Sequence, residues 1–178
     1  MRRKTPDPFA HPERLTQSVY AYVAYRIGPG PDAEDATSEV FARALRYRSN
    51  YDSTKGTPAA WLTGIARRVL AEQVAGHRAT SADLPDTAAP GAMEEDSVNR
   101  ITMQRAVATL GERDRELVAL RYGADLTAAQ IGELLDLSPN AVEVALHRAL
   151  RRLRSQLEGL PPERGTARPG LTAASDAV

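Results

Sequence analysis

The sequence predicts an all-α protein: two small helical domains joined by a flexible acidic linker, the second domain a helix-turn-helix. Apolar residues recur every three to four positions in each segment that can bury a face, and no segment alternates like a strand. A stretch of small and acidic residues, 79–96, interrupts this pattern near the middle of the chain. Near the end, a short helix, a tight turn and a longer helix follow one another, as in a helix-turn-helix.

The N-terminal domain, 12–78, is predicted to contain three helices. They are expected over 13–27, 32–47 and 58–75. The apolar stripes of the first two helices end at Ile27 and Leu45. Thr57 and Pro58 mark the start of the third helix, because a threonine side chain can cap the first amides and proline fits the first helical position. A polar loop, "SNYDSTKG", precedes this start.

The C-terminal domain, 97–157, is predicted to contain four helices. They are expected over about 97–109, 112–122, 128–135 and 139–157. Thr127 and Gln130 have the spacing of a capping box, and Ser138-Pro139 starts the last helix. A generic helical hairpin would share this apolar spacing. The capping box, the turn length and the outward arginines together favour DNA binding. The tail, 158–178, lacks periodicity and is expected to be disordered.

Composition limits the classes of function. The chain has no cysteine, which excludes disulfides and thiolate metal sites. No apolar run reaches the roughly 18 residues that a membrane span needs. The basic N-terminus "MRRKTPDPFAHPERL" has no apolar stretch behind it, so it is not a secretory signal and the protein is expected in the cytoplasm. With three histidines and no glycine-rich phosphate loop, neither an enzyme nor a metal or cofactor site is expected.

The net charge of zero conceals an uneven distribution. Residues 1–78 carry 12 basic and 8 acidic side chains, whereas residues 79–99 carry 5 acids and no base. Residues 100–158 carry 9 bases and 8 acids, so two mildly basic segments flank an acidic connector. Of the 23 basic residues 21 are arginine, the side chain better suited to bidentate contacts with phosphates and bases. A genomic bias toward arginine and alanine explains this count equally well.

Two stretches carry a family resemblance. The first is "DAEDATSEVFARALR" followed by "GTPAAWLTGIARRVL", and the second is "LGERDRELVALRYGADLTAAQIGELLDLSPNAVEVALHRALRRLRSQL". They resemble regions two and four of the extracytoplasmic-function group of bacterial RNA polymerase sigma factors, over about 32–78 and 106–157. The resemblance implies a factor that binds core polymerase, directs it to specific promoters and aids their opening. It also implies promoter DNA and an anti-sigma protein as partners, and no catalytic residue.

The resemblance assigns core-polymerase binding to the second helix, which carries four acids in its first turns. These are Asp32, Glu34, Asp35 and Glu39. Acids near a helix N-terminus are also favoured by the helix dipole, by ~0.3–1 kcal/mol each. The dipole accounts for the first three acids. It accounts less well for Glu39, which shares a face with Asp35 at the i, i+4 spacing.

The resemblance places minus-ten recognition in and after the polar loop, at Asn50, Tyr51, Arg67 and Arg68. Asn50 can hydrogen-bond a base edge, and Tyr51 can stack on an unpaired base. An ordinary solvated turn is an equally good interpretation of the loop. The two arginines point away from the apolar stripe of their helix, which suits phosphate contact or a solvated face. Three residues here depart from the family pattern: Arg68, Glu72 and Ala75.

The resemblance places minus-thirty-five recognition on the helix-turn-helix. The candidate residues are Thr127, Asn140, Glu143, His147, Arg148 and Arg151. The family often has basic or small polar residues where this chain has Glu143, Val144 and Ala145. A glutamate can accept a hydrogen bond from the cytosine amino group, so Glu143 is predicted to face DNA. The alternative is that it pairs with His147 or Arg148 on a solvated face.

Two other classes of protein stay open because of these departures. One is a helix-turn-helix transcriptional regulator that never binds core polymerase. The other is a sigma-like adaptor that binds polymerase or another partner and reads no promoter. Region two distinguishes the first, since such regulators carry a sensor or receiver domain in that place.

Overall fold

The computed structural model describes residues 7–80 and 106–159, and no strand occurs among them. This confirms the all-α fold class. Six α-helices lie wholly within these residues. They are α1 (Pro12–Ile27), α2 (Pro31–Arg46), α3 (Pro58–Thr80), α4 (Glu112–Val118), α5 (Ala128–Leu135) and α6 (Pro139–Gly159).

Several helix boundaries differ from the predicted ones. α3 continues to Thr80, five residues beyond the predicted end and into the predicted linker. The helix expected over 112–122 is divided: α4 ends at Val118, and a π-helical turn follows over Ala119–Gly123. Of the helix expected over 97–109, residues 106–108 are helical. The rest of the predicted linker, 81–96, residues 97–105 and the predicted tail from 160 onward lie outside the described residues.

Two glycines shape the turn between α1 and α2. Gly28, after the last residue of α1, has φ +92°, and Gly30, before the first residue of α2, has φ +129°. L-residues with a side chain rarely adopt these angles, so glycine is needed at both positions. The Gly30 carbonyl accepts hydrogen bonds from the amides of Ala33 (3.0 Å) and Glu34 (3.1 Å), which starts α2.

In the N-terminal domain, α1, α2 and α3 pack together, and each helix buries one of its faces against the other two. Its fully buried side chains include Val19, Tyr22, Val23, Ala36, Val40, Leu62 and Ala66. Two apolar residues that were predicted to face the core are exposed: Ile27 is 41% exposed and Leu45 is 61% exposed. Both lie in the last turn of their helix, where the chain turns away from the core.

The helix-turn-helix forms as the sequence predicts. The Thr127 hydroxyl accepts from the Gln130 amide (3.3 Å), and the Thr127 amide donates to Gln130 Oε1 (2.9 Å), which completes the capping box. Asp136 ends α5 with φ +55°. A Cβ on Gly132 would lie 2.5 Å from the Leu137 carbonyl oxygen, so this turn approaches α5 too closely for a larger residue. The Ser138 hydroxyl then caps α6 through the Ala141 amide, at 3.2 Å.

The two domains are packed directly against each other. One cluster of buried side chains contains Val23 and Leu62 from the N-terminal domain together with Leu120 and Val142 from the C-terminal domain. α1 packs most closely on the π-helical turn, where a Cβ on Gly123 would lie 2.7 Å from Tyr22 Cα. The sequence predicts two domains and a linker, and it shows no sign of this contact.

Candidate nucleic-acid interface

The candidate minus-thirty-five residues of α6 are exposed and lie on one face. A shallow groove of about 450 Å³ is lined by Asn140, Glu143, Val144, His147, Arg148 and Arg151. Spacings of three and four residues put these side chains on the same side of a helix. The opposite side, with Val142, Leu146 and Ala149, is buried. The amphipathic pattern of α6 therefore decides which side chains can meet a ligand.

Glu143 is exposed within this face. Among the described residues, no ion pair joins it to His147 or Arg148, the partners of the alternative interpretation. Within the described part of the chain, the arginine of α6 that pairs with a carboxylate is Arg152, whose partner is Asp114 of α4. Thr127 lies apart from this face, and its hydroxyl donates to Gln130 Oε1 at 3.0 Å as part of the capping box.

The loop residues of the minus-ten set differ in exposure. Asn50 is exposed at the end of a 3-10 turn, Arg48–Asn50. Tyr51 is 7% exposed, its ring centroid lies 5.4 Å from that of Trp61, and its hydroxyl donates to the Gly56 carbonyl (3.2 Å). In this conformation the covered ring of Tyr51 offers no face to a base, and its stacking role stays a prediction. Burial raises the pKa of the Tyr51 phenol.

Two further features of the loop region were not predicted from the sequence. Tyr47, directly before the 3-10 turn, is 47% exposed, so it is the tyrosine that this region presents to solvent. Asp52 closes the other side of the loop by accepting from the amide (2.9 Å) and hydroxyl (2.7 Å) of Thr54. These hydrogen bonds lower the pKa of the Asp52 carboxyl.

Arg67 and Arg68 point in different directions. Arg68 is exposed. Arg67 reaches into the contact between the domains, where Nε donates to Glu116 Oε1 (2.9 Å) and Nη1 donates to the Leu134 carbonyl (2.8 Å). The predicted phosphate contact of Arg67 is therefore corrected for this conformation, because its guanidinium is already bound. The partners lie 49 and 67 positions away in sequence, so local patterns do not indicate them.

Glu116 is the centre of the polar contact between the domains. The Tyr22 hydroxyl donates to its carboxylate, at 3.1 Å from Oε1 and 3.2 Å from Oε2. Arg26 Nε lies 2.7 Å from Oε2, an ion pair without hydrogen-bond geometry. The carboxylate side chain is 13% exposed, which limits screening by solvent. Burial and the nearby Glu116 charge raise the pKa of the Tyr22 phenol, so it stays protonated and donates.

The four acids of the candidate polymerase-binding surface are all exposed on α2. Glu39 also makes an internal contact, because its Oε1 lies 2.6 Å from Arg43 Nε. Arg43 Nη1 in turn lies 2.7 Å from Glu72 Oε2 on α3. Hydrogen bonds to Glu39 and Glu72 raise the pKa of the Arg43 guanidinium. Arg43 thus links α2 to α3, and Glu39 contacts Arg43 from the same helix.

Neither a membrane span nor a metal centre is found within residues 7–80 and 106–159. No helix there is both long enough and apolar enough to cross a membrane. No group of three or more His, Asp or Glu side chains is placed there to hold a metal ion.

Family models match both halves of the chain. The model for Sigma-70 region 2 matches residues 13–80, and that for Sigma-70 region 4 matches residues 100–153. The chain is 31% identical over 151 residues to the ECF RNA polymerase sigma factor SigK of Mycobacterium ulcerans, covering 79% of this chain and 80% of that protein. It is 30% identical over 149 residues to BldN of Streptomyces coelicolor, an ECF RNA polymerase sigma factor, and spans 56% of its length.

A solved structure shares the fold. It is the sigma factor RpoE in complex with the anti-sigma factor NepR from Bartonella quintana, with a TM-score of 0.69 and 15% sequence identity. The likeness covers 82% of this chain and 92% of that one. The present chain therefore shares the fold of that structure.

Proposed function

Because this chain belongs to the extracytoplasmic-function group of RNA polymerase sigma factors, we propose that it binds core RNA polymerase in the cytoplasm, directs it to specific promoters and aids their opening. The observation that carries this proposal is the presence of regions two and four, in that order, in one chain. Sigma factors are initiation factors, and no residue of this chain is assigned a catalytic role.

The acidic face of α2 is the proposed polymerase-binding surface. Asp32, Glu34, Asp35 and Glu39 are exposed there, whereas Ala33, Ala36 and Val40 hold the other face of the helix in the core. An exposed row of carboxylates can steer a basic partner surface and fix its register. Glu39 contributes to this surface and to the contact with Arg43 at once.

The exposed face of α6 is the proposed minus-thirty-five reader. A helix of this size fits the major groove, where side chains near its start reach base edges. Asn140 and Glu143 lie in the first turns of α6, and Arg148 and Arg151 follow on the same face. We assign base contacts to the first pair and phosphate contacts to the second pair. In the minus-ten region we retain Asn50 and Arg68, which are exposed.

Transcription reconstituted with purified core polymerase tests the proposal. The chain should produce promoter-specific transcripts that core polymerase alone does not produce. Asp35→Arg should abolish both these transcripts and co-elution with core polymerase, because it reverses a charge in the proposed surface. Glu13→Arg is the matched control, since Glu13 is an exposed first-turn acid of α1 outside that surface. Equal loss with both variants would remove the assignment to α2.

The sigma-like adaptor is a second candidate, favoured by the covered ring of Tyr51 and the bound guanidinium of Arg67. A selection from random duplex DNA with reconstituted holoenzyme separates the two candidates. A sigma factor should enrich a two-part sequence. An adaptor should co-elute with polymerase and enrich none.

We also propose that an anti-sigma protein holds the free chain by covering α2 and α6. Support comes from the fold shared with a sigma factor that was solved with its anti-sigma factor. Affinity capture of the tagged chain from native extract should recover a small helical partner in the fraction that lacks polymerase. Recovery of polymerase subunits alone would count against this partner.

A further inference from the structure

Four residues ahead of α1, Asp7–Ala10, form a turn that their sequence favours. Proline at the second position fixes a backbone angle that turns use, and aspartate at the first position can accept a hydrogen bond from the amide two residues on. Asp7 Oδ1 accepts from the Phe9 amide (3.0 Å), and the Asp7 carbonyl accepts from the Ala10 amide (3.3 Å). Pro8 is buried. This segment, the N-terminal turn, is therefore packed on the N-terminal domain.

Phe9 attaches the N-terminal turn to the aromatic side chains beneath the polar loop 49–56. Its ring centroid lies 6.4 Å from that of Phe41 on α2 and 6.4 Å from that of Trp61 on α3. The Trp61 ring also contacts Tyr51 of the polar loop, at 5.4 Å between centroids. Tilted and edge-on ring pairs at such distances are favourable. The N-terminal turn and the polar loop therefore rest on the same indole ring.

Arg48, directly before the polar loop, is held by two side chains of the N-terminal turn. Its Nη2 lies 3.0 Å from Asp7 Oδ2, and its guanidinium carbon lies 5.9 Å from the centre of the Phe9 ring, within the range of a cation–π contact. The Asp7 carboxylate thus holds its own turn through Oδ1 and Arg48 through Oδ2. Both charged side chains are about half exposed, 54% and 49%, and an exposed ion pair alone fixes a side chain weakly. The ring beneath the guanidinium is therefore needed as well.

The backbone of Arg48 carries this restraint into the polar loop. The Arg48 carbonyl accepts from the Tyr51 amide (3.2 Å), and the Tyr47 carbonyl accepts from the Asn50 amide (2.9 Å), which forms the 3-10 turn Arg48–Asn50. Asn50 is exposed at the end of that turn. A loop that is ordered beforehand loses less conformational entropy when it binds a ligand. The residues that hold Arg48 therefore bear on the way Asn50 is presented.

We propose that Asp7 and Phe9 are positioning residues of the minus-ten region: they hold Arg48, and through it the 3-10 turn that presents Asn50 to an unpaired promoter base. The part of this inference that concerns DNA rests on the proposed function. The effect of the N-terminal turn on the polar loop does not, and can be measured on the free chain.

Hydrogen exchange of single amides, followed by NMR on the full chain, tests the positioning without polymerase or DNA. Asp7→Asn keeps an oxygen for the Phe9 amide and removes the charge that faces Arg48. Phe9→Leu keeps an apolar side chain and removes the ring beneath the guanidinium. In both variants the amides of Asn50 and Tyr51 should exchange severalfold faster, because the 3-10 turn opens more often.

Glu13→Gln is the matched control for the exchange experiment. It removes an exposed carboxylate of α1 that, within residues 7–80 and 106–159, forms no ion pair with Arg48. In this variant both loop amides should exchange at the rate of the parent. Unchanged exchange in both Asp7→Asn and Phe9→Leu, with the far-ultraviolet circular dichroism of the parent, would overturn the proposal.

Binding of single-stranded DNA by the reconstituted holoenzyme tests the consequence for promoter recognition. The probes are an oligonucleotide that carries the minus-ten part of the sequence selected with holoenzyme, and the same oligonucleotide changed at one base. Asp7→Asn and Asn50→Ala should each reduce the preference for the matching base severalfold. The double variant should lose no more than Asn50→Ala alone, because Asp7 acts through Asn50. Additive losses would overturn the assignment, since the two residues would then act independently.

Phe9→Tyr is the conservative variant and should retain the preference of the parent, because an aromatic ring stays beneath Arg48. If the loop amides exchange faster as expected, but neither the parent nor any variant yields promoter-specific transcripts, the proposed function fails and the positioning of the polar loop stands.

Discussion

At the scale of single residues, the exposed face of α6 combines an acid, an apolar residue and arginines. Glu143 and Val144 lie beside Arg148 and Arg151 in one groove, and Val144 is 43% exposed. A carboxylate repels phosphate, so it adds nothing to general DNA affinity and acts through a specific partner. The residues that differ from the family pattern are therefore the ones expected to set the sequence preference.

The charge reversal Glu143→Lys should raise affinity for all DNA and steepen its dependence on salt, because it adds a cation near phosphates. It should also reduce the discrimination between the preferred and a mismatched minus-thirty-five sequence by about 1–3 kcal/mol. Binding titrations at several salt concentrations measure both effects. Arg148→Ala is the comparison, and should weaken binding to every sequence and flatten the salt slope. No change in either quantity for Glu143→Lys would place Glu143 on a solvated face.

Val144 carries a separate prediction. An exposed valine in the major groove has no hydrogen bond to make, and the 5-methyl group of thymine is the apolar feature it can contact. Val144→Ala should therefore reduce the preference for thymine at one position and leave the salt slope unchanged. Competition with uracil-substituted duplexes, which lack that methyl group, measures the effect. Val144→Ala and the parent should bind the uracil duplex equally well, and a persistent difference would contradict the contact.

At the scale of the elements, the helix-turn-helix depends on two local features. The capping box satisfies the first amides of α5 through Thr127 and Gln130. The turn into α6 passes so close to α5 that Gly132 has no room for a Cβ beside the Leu137 carbonyl. The first feature follows a known local spacing, while the second appears only when the turn is folded.

Loss of the cap gives the prediction at this scale. Thr127→Ala should lower the free energy of unfolding by about 1 kcal/mol, because the α5 amides lose their acceptor. Thr127→Ser should restore most of it, since serine keeps the hydroxyl. Urea unfolding measures the difference. If Thr127→Ala loses promoter binding while its stability equals that of the parent, Thr127 acts at the DNA and its cap contributes little.

At the scale of the whole molecule, one shared core joins the two helical domains. Buried residues of α1 and α3 belong to the same cluster as those of α4, α5 and the π-helical turn. Separating the domains exposes part of this surface to water, which is unfavourable. A partner that separates the two domains must therefore offset this cost.

Cooperative unfolding follows from the shared core. The single tryptophan, Trp61, lies in the N-terminal domain, so its fluorescence reports on that domain, whereas far-ultraviolet circular dichroism reports on both. In the parent chain the two transitions should coincide, as a two-state unit requires. In Gly123→Ala they should separate. Separate transitions already in the parent would mean that the contact between the domains adds little stability.

The sequence by itself determined the helices, their caps and the exposed face of α6. Caps such as Thr57 and Ser138 act on amides three residues away, and the stripe of α6 depends on the helical repeat. Because these interactions are local, they can be predicted from the sequence. The buried ring of Tyr51 needed Trp61 from the next helix, and its position could not be read from the loop alone.

Only the tertiary structure decided how the two domains meet. Tyr22 and Glu116 lie 94 positions apart, and Arg67 reaches Glu116 across 49. No periodic pattern connects such residues, because long-range pairing depends on how the buried faces of different helices fit together. Gly123 shows the same limit: in the sequence it is one glycine after a helix, and its role comes from the α1 backbone that packs against it.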